Sequence, residues 1–281
     1  MAMGRRNALK TLGGGLVISI LMSGRGTLAE SSGVERDLDS YDWYAELSRL
    51  PGIQMSGSEK IAMLMYPGFT ALDLIGPYHF LATMMGAEIY LVTNQPSLAP
   101  VKSDFGIAIQ PTVTIADCPR DINILFAPGG TAGTVAAAND ERTLDFMHDR
   151  ALRAEFVTSV CTGSLILGAI GALRGKKATS HWSVRHLLGQ FGAIPTHARV
   201  VQDGNVITGA GVSAGLDFGA GLVGRLRGEA YAQSSMLTAE YNPEPPFRGG
   251  AYEATPPLVA RPIKAMFEEF VSEAKQIEVR R

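Results

Sequence analysis

Phe156-Val157-Thr158-Ser159-Val160-Cys161-Thr162-Gly163-Ser164 decides the reading of this chain. Residues 156–160 form a short buried strand, and the small and apolar residues from Thr162 to Leu173 form a helix buried on most sides. One reactive group, the Cys161 thiol, stands at the junction. Ser159 and Gly163 flank it at −2 and +2, the small-x-nucleophile-x-Gly pattern of a nucleophile elbow, where bulkier neighbours would clash. Such a turn holds its nucleophile in strained backbone geometry. Free backbone N–H groups and the helix dipole at the start of the following helix are expected to favour a thiolate. An arbitrary cysteine is more often a structural core residue, but the strand–elbow–helix context favours a nucleophile. Cys118, in Asp117-Cys118-Pro119, lies in a turn before a strand and reads as structural. In an oxidising compartment the two cysteines could pair; the elbow context argues against it.

Outward from this segment, strand and helix patterns alternate. Ile61–Met65, Glu88–Thr93 and Ile122–Ala127 are short apolar runs of the kind buried in parallel sheets. Pro67-Gly68 ends the first and Pro128-Gly129-Gly130 the third. Shorter strand-like pieces fall at 106–110, 112–115 and 177–180. Helical patterning covers 73–85, 140–152, 184–191, 214–227 and 261–275. Arg199–Gln202 and Asn205–Thr208 form a hairpin on an Asp203-Gly204 turn. Asn242-Pro243-Glu244-Pro245-Pro246-Phe247 is an extended strap. This order predicts an α/β fold with a mostly parallel sheet flanked by helices on both faces.

The chain has 281 residues with 46% hydrophobic and 19% charged, enough for a sizeable core without disulfides or metals. Its formal net charge of −2 gives no footprint for nucleic acid. The N-terminus, Gly4-Arg5-Arg6-Asn7-Ala8-Leu9-Lys10 followed by a short apolar stretch from Leu12 to Met22 and by Thr27-Leu28-Ala29, reads as a twin-arginine export signal; the alternative is a basic tail. The stretch falls short of the ~20 apolar residues a spanning helix needs, so no membrane anchor is expected. Removing residues 1–29 takes away four basic residues and no acid, moving the net charge from −2 to −6. The expected organisation is a signal over 1–29, an extension over 30–58 that packs on the main domain, a domain over 59–248, and a C-terminal extension with a helix over 249–281. Export places the protein in the periplasm or outside the cell. Five histidines without clustered ligand spacing predict no metal site.

Four blocks carry a resemblance. They are Tyr66-Pro67-Gly68-Phe69-Thr70-Ala71-Leu72-Asp73-Leu74-Ile75-Gly76-Pro77, Phe126-Ala127-Pro128-Gly129-Gly130, Val160-Cys161-Thr162-Gly163-Ser164 with Ala178-Thr179-Ser180-His181-Trp182, and Glu240-Tyr241-Asn242-Pro243-Glu244-Pro245-Pro246-Phe247. With them, residues 60–247 resemble the ThiJ/PfpI superfamily, of flavodoxin-like, class I glutamine-amidotransferase-like fold. Leu-Asp near the N-terminus, Cys-Thr-Gly at the elbow and the tail motif are similar to the isocyanide (isonitrile) hydratase branch.

The resemblance implies roles. Cys161 is the nucleophile, and Asp73 is the acidic residue that hydrogen-bonds its thiol. Asp73 sits among Leu72, Leu74 and Ile75, so desolvation should raise its pKa and let it give and take a proton; the alternative is a helix N-cap. Gly130 offers a backbone N–H that with the N–H of Thr162 could form an oxyanion hole; a simple turn glycine is the plainer reading, and the two are compatible. Thr162 replaces the histidine of protease-like relatives, which weakens a Cys–His dyad reading. His181 lies near the pocket, or caps a helix or bonds in the core; Trp182 packs. The implied reaction converts a small-molecule isocyanide to an N-substituted formamide through a thioimidate on Cys161, with no cofactor. A homodimer is implied by the resemblance alone. Rival readings are glyoxalase- or amidase-like chemistry, a reversibly oxidised redox protein, and the sensing domain of an AraC-type regulator. Against the last, the roughly fifty residues after Gly228 are Pro-rich and lack paired helix-turn-helix units.

Overall fold

The computed structural model describes residues 41–280. The export signal over 1–29 and the first part of the extension, 30–40, lie outside the described residues.

Seven strands form the main sheet: β1 (Lys60–Met65), β2 (Glu88–Thr93), β3 (Val113–Thr114), β4 (Ile124–Ala127), β5 (Phe156–Val160), β6 (Val200–Asp203) and β7 (Val206–Gly209). Their order across the sheet is β6-β7-β5-β4-β1-β2-β3. All neighbours are parallel except the β6–β7 hairpin at one edge. The central strands β1, β4 and β5 are almost wholly buried, which is why each reads as an unbroken apolar run rather than an alternating one. Their carboxyl ends lie side by side, and from them leave Pro67-Gly68, Pro128-Gly129-Gly130 and Cys161. Ligands in open α/β sheets bind at this end.

Nine α-helices are described: α1 (Trp43–Ser48), α2 (Ala71–Leu81), α3 (Ala132–Ala138), α4 (Glu141–Ala151), α5 (Gly163–Ala169), α6 (Ala214–Arg227), α7 (Glu229–Thr238), α8 (Pro257–Met266) and α9 (Glu268–Ala274). One group, α2, α6 and α7, packs together; α3, α4 and α5 form the other. The α2–α6 contact is close because α6 turns glycines toward α2. A Cβ on Gly219 would sit 3.1 Å from Pro77 Cα and 3.2 Å from Phe80 Cβ.

Strands β2 and β5 and helix α6 start and stop where the sequence places them, and β1 starts one residue earlier than its apolar run, at Lys60. Helix α2 ends at Leu81 rather than at 85, because tertiary bonds divert its last polar groups. Tyr231 Oη donates to Thr83 O at 2.6 Å and accepts from Met85 N at 3.0 Å, and Met85 O accepts from Gly57 N at 3.0 Å. The hairpin register differs by one residue. Asp203 pairs with Val206, so the loop is Gly204-Asn205 with Gly204 at φ +63°. The Asp203 carboxylate instead accepts the Lys177 N–H at 2.8 Å. The span 261–275 is two helices, α8 and α9, joined at Phe267, whose N–H turns to Lys264 O. The span 184–191 is a 3₁₀ helix, Arg185–Phe191. Helices α3 and α7 have no counterpart in the sequence reading. Ile53 and Met55 of the extension pack on the core, and Gln54 N donates to Arg227 O at 2.8 Å.

Candidate active site

Strand β5 delivers Cys161 into a left-handed conformation at φ +59°, one of two non-glycine residues with positive φ among those described. Such a conformation costs about 1–3 kcal/mol and persists only where the surroundings impose it. Here they do. Cys161 N–H donates to Gly209 O at 3.1 Å, and its carbonyl accepts Ser180 Oγ at 3.0 Å and Ser164 Oγ at 3.3 Å. The small residue at +2 is demanded by strand β4, since a Cβ on Gly163 would lie 2.3 Å from Ala127 O and 2.6 Å from Pro128 O. Both cysteines are free and buried. Cys118 lies away from the elbow, with its thiol pushed up to about 11 by burial, against the pull of Arg150.

Asp73 lies in the first turn of α2, fully buried. It is not the N-cap; that position belongs to Thr70. Asp73 Oδ2 accepts the backbone N–H of Gly129 at 2.9 Å. The carboxyl also reaches the Cys161 thiol, yet Oδ1 is buried without a regular hydrogen bond. Burial pushes the carboxyl up to about 7, against the bonds from Cys161 and Gly129. This is the direction expected from sequence, although of the neighbours named for it only Leu74 is buried, Leu72 and Ile75 being exposed. The thiol departs from expectation. Burial first, then the charge of Asp73, push it well above its ordinary value, and the Thr162 N–H pulls the other way without winning. Helix α5 starts two residues after the sulfur and is seven residues long, so desolvation outweighs its dipole. The resting thiol is therefore neutral, and beside it stands a carboxyl poised near neutrality.

The Gly130 N–H donates to Thr162 Oγ1 at 2.9 Å, and that hydroxyl returns a bond to Gly130 O at 2.6 Å. The expected pairing of Gly130 and Thr162 N–H groups as an oxyanion hole is thus corrected: Gly130 N–H is occupied, as is that of Gly129. The Thr162 N–H faces the sulfur. Thr162 Oγ1 meets Thr134 Oγ1 at 2.9 Å, and Thr134 Oγ1 meets Tyr66 Oη at 2.9 Å. Sequence reasoning missed Tyr66 and Thr134. Tyr66 opens one of the quoted blocks, so a signal existed; Thr134 sits in α3, which Ala-Gly-Thr-Val-Ala-Ala-Ala does not announce.

His181 lines the pocket and also bonds locally. Its Nδ1 lies 2.8 Å from Ser183 Oγ, and its ring packs on Phe267 with centroids 5.3 Å apart. Burial, then Arg185, lower it to about 4. It is a neutral imidazole near pH 7 and provides no imidazolium partner for a thiolate. Trp182 packs, stacked on Tyr252 at 5.0 Å. Among the described residues no group of three or more His, Cys, Asp or Glu side chains is placed to hold a metal ion, and no helix is long and apolar enough to cross a membrane.

Residues 59–225 match the DJ-1/PfpI family. The chain belongs to that family. It is 46% identical over 200 residues to an isonitrile hydratase from Pseudomonas putida, covering 71% of this chain and 86% of the relative. A deglycase from Thermococcus kodakarensis is 30% identical over 149 residues, 53% of this chain and 88% of the relative. Among solved structures, a ThiJ/PfpI family protein from Pseudomonas syringae superposes with a TM-score of 0.78 at 54% identity, covering 81% of this chain and 93% of that one.

The DJ-1/PfpI match stops at residue 225, but the pocket over Cys161 does not. The pocket has a volume of about 680 Å³. Its floor is Gly130, Cys161 and Thr162, and its outer wall is Met266, Phe267, Glu269, Phe270 and Glu273 of the C-terminal helices. Phe105 and Asp104 close the opposite side. The lining sets aromatic and apolar side chains, Phe105, Met266, Phe267 and Phe270, beside three carboxylates, with no lysine or arginine. That the C-terminal extension lines this pocket was not legible in the residues, because nothing in an amphipathic helix states what its apolar face covers.

Proposed function

We propose that this protein hydrates an isocyanide to an N-substituted formamide, with Cys161 as nucleophile and Asp73 as proton carrier. The carrying observation is the buried pair itself. A neutral thiol on a strained elbow stands against a carboxyl near neutrality that has one unpartnered oxygen. The likeness to an isonitrile hydratase supports the same reading.

The terminal carbon of an isocyanide takes a nucleophile readily only if it is protonated as it is attacked. In the scheme, Asp73 accepts the thiol proton, the Cys161 thiolate adds to the carbon, and Asp73 hands the proton to that carbon. The product is an enzyme-bound thioimidate. Asp73, again a carboxylate, takes a proton from water as the water oxygen adds to the same carbon. Asp73 passes that proton to the nitrogen, and collapse of the tetrahedral adduct breaks the carbon–sulfur bond, moves the hydroxyl proton through Asp73 to sulfur and releases the formamide. The sum is one isocyanide and one water in, one formamide out. The Thr162 N–H supports charge on the sulfur during addition and departure. The aromatic and apolar side chains of the lining favour an aliphatic or aromatic substituent on the isocyanide nitrogen.

A panel of cyclohexyl isocyanide, a glyoxal and simple amides tests the proposal. Formamide production with little activity on the others supports it; turnover of the glyoxal or amides alone overturns it. We infer further that the protein is exported by the twin-arginine machinery and acts as a homodimer. The Arg5-Arg6 segment supports the first inference, and Leu72, Ile75 and Tyr78, exposed at i, i+3 and i+6 on α2, support the second. Cell fractionation and light scattering check them; retention in the cytoplasm or a micromolar monomer would remove each.

A further inference from the structure

Three buried hydroxyls run from the pocket floor into the core. Tyr66 Oη donates to Pro128 O at 2.7 Å and contacts Thr134 Oγ1 at 2.9 Å; Thr134 Oγ1 contacts Thr162 Oγ1 at 2.9 Å; Thr162 Oγ1 reaches Gly130 O at 2.6 Å. Tyr66, Thr134 and Thr162 are all essentially without solvent exposure. The chain thus holds four oxygen–oxygen contacts at hydrogen-bond distance between two carbonyl ends, and only three hydroxyl hydrogens to fill them. One contact always lacks its hydrogen, so the hydrogens can be arranged in more than one way without moving a heavy atom. Buried polar chains of this kind are normally fully satisfied, and a built-in vacancy lets the order of donors reverse.

Thr162 follows Cys161 directly and lines the same pocket, and its hydroxyl favours the ionised form of the thiol. With the thiol neutral, that hydroxyl is best spent on Gly130 O. With the sulfur ionised, the sulfur is the stronger acceptor.

We propose that Tyr66, Thr134 and Thr162 form a switchable hydroxyl relay that turns a hydrogen bond onto the Cys161 sulfur as it loses its proton. In the resting order Tyr66 points to Pro128 O and Thr162 to Gly130 O. In the switched order Tyr66 points to Thr134, Thr134 to Thr162, and Thr162 to the sulfur. Each oxygen keeps its own hydrogen, so no proton is transferred and no co-reactant is needed. In the switched order Thr134 and Thr162 each accept a bond while donating one, which polarises them toward the sulfur; Thr162 additionally accepts the Gly130 N–H throughout. Thr162 adjoins Cys161 in the chain. Thr134 and Tyr66 act through it and are positioning residues. The relay depends on the proposed function only in taking Cys161 as the reactive group.

The test is the rate of Cys161 alkylation by iodoacetamide against pH in the full chain, with the modified cysteine assigned by mass spectrometry. Thr134→Val keeps the shape and removes the middle hydroxyl. It is expected to move the midpoint of the alkylation profile up by about one pH unit, so that alkylation near pH 7 slows about tenfold. Thr134→Ser restores the hydroxyl and should return the rate to within about twofold of wild type. Tyr66→Phe, which leaves the Thr134–Thr162 pair in place, should slow alkylation about threefold. On an isocyanide substrate, kcat falls in the same order while KM stays put. A merely structural role would move the melting temperature without moving the alkylation midpoint. An unchanged midpoint in folded Thr134→Val, or a Ser variant no better than Val, overturns the relay. If Thr134→Val does not fold, an unchanged profile in Tyr66→Phe does so. Alkylation needs no isocyanide, so the relay and the hydratase reading stand or fall separately.

Discussion

Replacing Asp73 by Asn should make the folded protein more stable while disabling it. Burial holds the Asp73 carboxyl up at about 7, from an ordinary 3.8. Below pH 4 it is protonated in both folded and unfolded chains and contributes nothing. Between about pH 4 and pH 7 the unfolded chain ionises and the folded one does not, so stability falls as pH rises. Above pH 7 the penalty is constant. The gap of roughly three pKa units corresponds to about 4 kcal/mol at 1.36 kcal/mol per unit. Asn keeps an oxygen to accept the Gly129 N–H, but its amide hydrogens fill the place of the unpartnered Oδ1, at a cost of about 1–3 kcal/mol. The net gain at pH 8 is therefore about 2 kcal/mol, or about 5 °C in a chain of this size. Urea melts of both proteins at pH 4, 6 and 8 give the curve directly. The difference between them should grow from pH 4 to pH 7 and then level off. Activity should fall by about 10²–10⁴, the range for loss of a positioned acid–base group. A variant less stable than wild type at pH 8, or a stability difference that ignores pH, would refute the reasoning.

Other consequences are as direct. The kcat/KM for an isocyanide should rise with pH through about 7 as Asp73 gives up its proton, with no second inflection between pH 5 and pH 8, because His181 is already neutral there; a pH–rate profile shows it. Gly163→Ala should destabilise by about 1–3 kcal/mol, since its Cβ would enter the carbonyls of Ala127 and Pro128; denaturant titration measures it. The carboxylates of Asp104, Glu269 and Glu273 around the pocket should make a cationic methanethiosulfonate modify Cys161 severalfold faster than an anionic one. That ratio should shrink as salt rises from 0.05 to about 0.5 M, and Glu269→Gln with Glu273→Gln should lower it further.

Much of this was legible in the residues. The buried strands β1, β4 and β5 declare themselves as short apolar runs closed by Pro-Gly or by the elbow, and those three runs fix where the site lies. The local pattern around Cys161 carries its own geometry, because Gly163 is the residue that the carbonyls of β4 permit. The raised pKa of Asp73 has the direction read from sequence but not its cause, since Leu72 and Ile75 are exposed and the tertiary fold buries the carboxyl. What stayed hidden was tertiary. No local pattern says that the Gly130 N–H goes to the Thr162 side chain, that Tyr66 and Thr134 line up behind it, or that α9 walls the pocket. The thiol was misread for the same reason. A helix start is visible in sequence, whereas the burial that overrides it belongs to the whole fold.

The most direct measurement is formation of N-cyclohexylformamide from cyclohexyl isocyanide by the purified protein beside its Cys161→Ala variant. The account predicts steady turnover by the first and none above background by the second. Turnover that survives in Cys161→Ala would contradict it, and so would a wild-type protein that makes no formamide while Cys161 remains open to alkylation.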